Sequence, residues 1–329
     1  MFRRLRVHPF APTAILLAVF CIALATPTMA KVFLGTWLSS TAGQLAAPPD
    51  GIEGYCLGIS GDRIIMTHGD RASTGDSGDV SIYDIASNTW SAGTASPNPR
   101  AEGAGTSAAN LTYCIGGRDG DSLVEAYNPQ SDSWTTLAPL GVGRAGLSVA
   151  SQGSKLYAIG GRFSGGGPCS DVPISPQAEV YDIPSNTWSF IADPPLLVTD
   201  AALVSQGGLL YLIGGCDVSG AAVNNVQIYN PRTDSWSAGP SMPTARASLA
   251  AASVGGAIYA IGGLAGFLQP NLSVVEGLDV AHGTWLSPLT PKPTPSSEIE
   301  AVVRGDTIYI PGSGSYGTTA DILEAFQRH

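Results

Sequence analysis

Three arginines, Arg100, Arg144 and Arg246, stand in one register, each 17 residues before the second glycine of a Gly-Gly pair. Two positions further on, the same register holds Glu102, Asp200 and Glu298 in alternate repeats. Guanidinium and carboxylate groups interleaved at one level can hold a polyhydroxylated sugar or a zwitterion through charge-assisted hydrogen bonds. They can equally neutralise one another as a structural ring. Either outcome requires a chain that repeats, so that equivalent side chains arrive at equivalent heights.

Other reactive sets are missing. No Gly-x-Ser-x-Gly elbow, phosphate loop, EF-hand loop or His-Glu-x-x-His pair occurs. The five cysteines form no Cys-x-x-Cys pair and only four histidines are present, so zinc ligation is not expected. No cofactor or metal is anticipated.

The 329 residues include 41 glycines and 24 prolines, with 13% charged and 44% hydrophobic residues. Such a chain can bury a core and must turn often. Disorder is excluded by the apolar content, and a helical bundle is disfavoured by the glycine. Residues 1–30 hold Arg3, Arg4 and Arg6, a 12-residue apolar run over 14–25, and small residues at Thr28-Met29-Ala30. Twelve apolar residues are too few to span a bilayer. A cleaved signal peptide over 1–30 is therefore expected, with 31–329 as one exported domain, secreted or periplasmic. Without those three arginines, 13 basic residues face 26 acidic ones, a charge of −13. That field repels nucleic acid and anionic membranes, so neither is an expected partner.

All six tryptophans fall on one ladder, Trp37, Trp90, Trp134, Trp188, Trp236 and Trp285. Glycine pairs at Gly116-Gly117, Gly160-Gly161, Gly214-Gly215 and Gly262-Gly263 each end 27 residues after the preceding Trp. A Tyr-Asp or Tyr-Asn step, as at Tyr83-Asp84 and Tyr127-Asn128, begins seven residues before the next Trp. Each unit reads as four short strands separated by turn signals, and nothing in it has helical period.

Glycine pair, Tyr-Asp/Asn and Trp at a period of about 50 residues together resemble the Kelch repeat. The resemblance covers nearly everything after residue 30. It implies an all-β fold, a β-propeller with one four-stranded blade per repeat around a channel. His68-Gly69 and Gly312-Ser313 stand where two further glycine pairs belong, which makes six blades. The last repeat lacks a Trp, while Gly35-Thr36-Trp37-Leu38-Ser39 matches Gly283-Thr284-Trp285-Leu286-Ser287. Residues near 31–39 should therefore supply the outer strand of the sixth blade, closing the ring and removing exposed sheet edges.

On this scaffold the segments after the glycine pairs, at 70–78, 118–121, 162–176, 216–222 and 264–271, differ in length and share one face. That face is the expected binding surface, with Arg100, Arg144, Arg246, Glu102, Asp200 and Glu298 as ligand-binding residues. In Kelch domains of ubiquitin-ligase adaptors, arginines in this register contact acidic peptides. The resemblance thus implies a binding module for a protein, peptide or carbohydrate ligand. Exported sialate-epimerising Kelch proteins imply an alternative, a sugar mutarotase using a Glu or Asp base with Arg. Copper-radical oxidases such as galactose oxidase share the fold. Here His68, His282 and His329, with no Tyr-His step, cannot assemble their ligand set. Adjacent blades place Cys169 and Cys216 on the same face, where an exported chain would join them. Cys56 and Cys114 stay open between a second bridge and two buried thiols.

Overall fold

The structure, a computed structural model, describes residues 35–48, 52–71, 75–118, 121–163, 168–170, 173–315 and 318–329. The expected leader over 1–30 lies outside them. Six four-stranded antiparallel sheets make up the molecule. Blade 1 comprises Cys56–Ser60, Arg63–Thr67, Val80–Asp84 and Thr89–Gly93. Blade 2 comprises Ala104–Ala108, Leu111–Gly117, Asp121–Asn128 and Ser133–Thr136. Blade 3 is built from Ser148–Gln152, Lys155–Ile159, Ala178–Asp182 and Thr187–Ile191. Blade 4 follows with Ala202–Gln206, Leu209–Ile213, Val226–Asn230 and Ser235–Ala238. Blade 5 has Ala250–Val254, Ala257–Ile261, Val275–Asp279 and Thr284–Leu286. Blade 6 takes Val302–Arg304, Thr307–Ser315 and Thr318–Arg328 from the C-terminus and Gly35–Ser39 from the N-terminus. Neighbouring inner strands touch all the way round, including blade 6 against blade 1, so the sheets form a closed six-bladed propeller. Among the described residues, no helix is long and apolar enough to cross a membrane.

Side-chain size follows distance from the axis. Inner strands are small, as in Ala104-Gly105-Thr106-Ser107-Ala108 and Ala250-Ala251-Ala252-Ser253. A Cβ on Gly105 would run into the backbone of Leu57 in blade 1. Further out the blades diverge, and aromatic pairs fill the gap. Tyr83–Trp90, Tyr127–Trp134, Tyr181–Trp188 and Tyr229–Trp236 hold ring centroids 5.1–5.2 Å apart.

These aromatics also fasten each blade to the one before it. Every Trp indole N–H donates to a carbonyl of the segment leaving the preceding blade: Trp90 to Ala46 (3.0 Å), Trp134 to Thr94 (2.8 Å), Trp188 to Ala138 (2.9 Å). Trp236 to Ala192 (2.7 Å), Trp285 to Pro240 (2.7 Å) and Trp37 to Thr290 (3.1 Å) complete the circuit. In four blades the Tyr hydroxyl orients an Asn or Asp, namely Asn88, Asp132, Asn186 or Asp234. That same oxygen accepts the N–H of the residue whose carbonyl the Trp holds. One residue per seam is thus gripped at both backbone groups.

Ring closure occurs as the Trp ladder requires. Gly35–Ser39 runs antiparallel to Thr318–Arg328, with Trp37 opposite Phe326 and Ser39 opposite Glu324. Trp37 stacks on Phe326 at 5.2 Å, and Phe326 in turn on Tyr259 of blade 5 at 5.5 Å. A chain starting at residue 40 loses this strand, the Trp37 seam and the cover over Phe326. It should be several kcal/mol less stable than the chain starting at residue 31, because aromatic burial and an edge ladder go together. Thermal melting of the two proteins checks this, and equal midpoints would refute closure by this strand.

Candidate functional site

Just ahead of each inner strand, one residue turns through left-handed backbone: Gly54, Glu102, Gly146, Asp200, Ser248 and Glu298, with φ of 58, 60, 56, 56, 51 and 53°. They form a belt around the channel mouth. The N–H of Glu102 donates to the Gly54 carbonyl, Gly146 to Glu102, Asp200 to Gly146, Ser248 to Asp200 and Glu298 to Ser248, at 2.7–3.0 Å. The three carboxylates expected at one level are therefore there, in blades 2, 4 and 6, and all three line a channel cavity of about 380 Å³.

The three arginines named with them are not. Arg144 and Arg246 are fully buried and Arg100 is nearly so, and none lines the cavity. Their guanidinium groups turn back into the blades, onto carbonyls at the end of the second strand. Arg100 binds Gly116 and Cys114, Arg144 binds Ala158, and Arg246 binds Gly262 and Ala260, at 3.0–3.2 Å. Each also meets a glutamate of the third strand, Glu125, Glu179 (3.0 Å) or Glu276 (2.9 Å). In blade 6 the buried pair Lys292–Glu324 does the same. Hydrogen bonds from His68, Arg100 and Asn98 outweigh the cost of burial and hold the Glu125 carboxyl down at about 2. Charges committed in this way have no face left for a ligand.

The cations that do reach the mouth are Arg162 and Arg118. Both directly follow a glycine pair, in blades 3 and 2, a register that could have been read from the sequence beside the other three. The glycine pairs take left-handed φ, as at Gly160 (66°) and Gly161 (93°), and turn the next side chain toward the axis. Arg162 lies between two belt acids, at 2.7 Å from Glu102 Oε2 and 2.7 and 2.9 Å from the Asp200 oxygens. Burial opposes its charge, but Asp200 and Glu102 overcome this and raise its pKa. Arg118 takes the other Glu102 oxygen at 3.2 Å and bridges to Asp70 (2.7 Å) and Asp76 (2.9 Å) in the loop of blade 1.

Glu298 stands on the other side of the mouth, in blade 6. Burial, then Glu53, Asp200 and Glu102, push its carboxyl up to about 8 against the pull of Arg162. Its Oε1 is sealed from solvent and, among the described residues, meets no hydrogen-bond donor. Deeper in the channel, burial also raises Glu300 to about 8. It accepts the N–H groups of Leu57 (2.7 Å) and Gly105 (2.9 Å) and so caps inner-strand edges of blades 1 and 2. Among the described residues, Cys56, His68 and Cys114 are the set whose ligand atoms lie within 4.8 Å of one another. There the two sulfurs bond each other instead, with Cα atoms 5.4 Å apart. Cys169 and Cys216 form the pair expected on the loop face, Cα to Cα 5.2 Å.

A six-bladed propeller with arginines sunk in its blades and an acidic, arginine-bridged channel mouth is the class of protein that fold and site define. The sequence matches the Kelch motif over residues 99–141, 143–195, 198–243 and 245–287, more than half of its length, and the chain belongs to the Kelch-repeat family. Blades 1 and 6, where His68-Gly69 and Gly312-Ser313 replace the glycine pair, fall outside the match. The chain is similar to Kelch-like protein terF of Aspergillus terreus, 30% identical over 152 residues, 44% of this chain and 32% of that one. Kelch-like protein 25 of Homo sapiens is 31% identical over 137 residues, 40% of this chain and 23% of that one. The match thus spans about a quarter to a third of these relatives. The solved structure of YjhT superposes with a TM-score of 0.72 at 17% identity, covering 86% of this chain and 95% of that one, a likeness of fold.

The raised Glu298 carboxyl fixes a pH signature. Between its ordinary 4.5 and about 8 the folded protein holds a proton that the unfolded chain has released. Stability therefore falls as pH rises through that window and levels off above it. Glu298→Gln, which cannot ionise, should lose less stability from about pH 5 to about pH 9, part of the fall remaining with Glu300. Melting curves across that range check it, and parallel curves for variant and parent would refute the buried, proton-holding Glu298.

Proposed function

We propose that this chain is a recognition module that binds a protein partner on the loop-bearing face, around Glu102, Asp200, Glu298 and Arg162. The observation that carries the reading is the belt: a rigid backbone ring holds charged side chains at the rim of an open cavity, with loops of unequal length around them. Arg100, Arg144 and Arg246 enter only through the blades they support. We also take residues 31–329 as one domain carried out of the cytoplasm by the leader over 1–30. Two cysteine pairs at bonding distance support that compartment.

A second reading is favoured by one feature. A carboxyl raised to about 8 in the same cavity as Arg162 is also what proton transfer on a small sugar needs, the mutarotase alternative. The first reading is preferred because the Arg162 guanidinium is already shared by Glu102 and Asp200.

A photo-crosslinking residue at Val218, exposed on the loop face, should yield protein adducts in the native exported fraction. The same group at Ala109, in the turn at the far end of the blade 2 inner strand, should yield none. Adducts from the Ala109 position alone would place the partner on the opposite face. Exchange NMR on N-acetylneuraminic acid should show anomer interconversion no faster than in buffer. A faster rate that Glu298→Gln abolishes would move the assignment to the mutarotase.

A further inference from the structure

The mouth is one end of a longer surface. Pro168 lines the channel cavity and also a second cavity of about 270 Å³, whose other walls include Leu264, Phe267, Leu268 and Pro270. This groove belongs to the loops after the glycine pairs of blades 3 and 5. Those loops are tied to the one between them. Cys169 joins Cys216, and Ala221 pairs with Gly266 in a β-bridge. Among the described residues the large exposed apolar side chains are Phe163 (42%), Phe190 (64%), Val218 (68%), Phe267 (45%) and Leu268 (73%). All but Phe190 stand on these three loops. Large apolar side chains gathered on one exposed face mark a contact surface.

The charge beside that surface is mostly acidic. Asp70, Asp76, Glu102 and Asp200 pair with Arg118 or Arg162, and Glu53 and Glu298 stand beside them. Both guanidinium groups are committed on the blade 1 to blade 4 side of the mouth. The buried Glu298 oxygen, with no donor among the described residues, lies on the other side, in the cavity wall. A guanidinium or ammonium group entering the mouth meets the part of the Glu298 carboxyl that lines the cavity and supplies the missing charge.

We propose that groove and mouth together receive a protein segment presenting an arginine or lysine next to a large apolar side chain, the cation set against Glu298 and Asp200 and the apolar group between Pro168 and Phe267. The inference rests on the partner-binding reading of this face and specifies what the face recognises. Glu298 faces Glu53, Asp200, Glu102 and Arg162 and keeps its proton to about 8. Cation binding expels that proton, so affinity rises with pH over the units below that value.

The test uses the full exported chain on an array of random dodecapeptides at about pH 8. The bound set should be enriched several-fold in arginine or lysine adjacent to leucine, phenylalanine or tryptophan, and depleted in acidic residues. With one such bound peptide as probe, Glu298→Gln should weaken binding about tenfold and flatten its pH dependence. Phe267→Ser with Leu268→Ser should weaken it while leaving the pH dependence in place, and Asp84→Asn, a half-buried acid at the end of the third strand of blade 1, should change nothing. Melting curves establish that each variant is folded. A bound set rich in acidic peptides, an empty array, or unchanged affinity in Glu298→Gln overturns the proposal. An empty array with crosslinks still forming at Val218 removes this cation-and-groove reading and leaves the partner face standing.

Discussion

One row of backbone, a single residue per blade, both ties the ring together and sets its chemistry. At Gly54, Glu102, Gly146, Asp200, Ser248 and Glu298 the chain turns left-handed, and from Glu102 onward each N–H reaches the carbonyl of the blade before. A residue with a Cβ in that conformation costs on the order of 1 kcal/mol. Gly54 and Gly146 avoid the cost, whereas Glu102, Asp200, Ser248 and Glu298 carry it. Strain kept at three carboxylates aimed into one cavity is the pattern of side chains held for contact. Gly146 has a second reason to be glycine. A Cβ there would strike the guanidinium of Arg162 and the carboxylate of Asp200. Acid, glycine, acid across blades 2 to 4 is therefore a slot, and Arg162 fills it.

The two sets of arginines look alike in sequence and do opposite things. Arg144 and Arg246 are fully buried, and desolvation pulls both pKa values down against Glu179 and Glu276, Arg246 to about 10. Such pairs persist because removing either member strands a buried charge, which costs more than the pair itself contributes. Their carbonyl partners explain the placement. The first glycine of each pair lies against the backbone of the next blade, and the second donates to it, as Gly161 does to Val198 and Gly215 to Arg246. The arginine covers carbonyls of the strand end beside that contact from within.

What the sequence made legible follows from this division. Trp does the same work at every seam, and the glycine pair and Tyr-Asx each recur in four blades, so their spacing spells blade number, strand order and closure by Gly35–Ser39. Glu102, Asp200 and Glu298 were legible because the belt preserves their register. Arg100, Arg144 and Arg246 were misplaced because their partners, Glu125, Glu179 and Glu276, stand on strands 25 to 35 positions later. Those glutamates did leave a trace, an acid two residues before the aromatic or apolar anchor in Glu125-Ala126-Tyr127, Glu179-Val180-Tyr181 and Glu276-Gly277-Leu278. Charge inside a β-type run is the sign of a buried pair. Blade 1 has Ser81 and blade 4 Gln227 at that position, and both lack the arginine, with Ile52 and Val198 in its register.

The ties of the fold and the proposed recognition surface draw on different residues. Arg162, Cys216 and Leu264, at the start of their loops, bridge to the entry of the inner strand of the same blade, whereas Phe163, Val218, Phe267 and Leu268 further along stand exposed and can vary at little cost to the fold. What the loops add breaks the sixfold symmetry beneath them. Guanidinium groups stand over blades 2 and 3, apolar side chains rise from blades 3, 4 and 5, and an uncompensated carboxyl closes the circle at blade 6. A ligand on the axis of a symmetric ring could lie in any of six orientations. Here each direction across the mouth offers different chemistry, and only one orientation satisfies all of it.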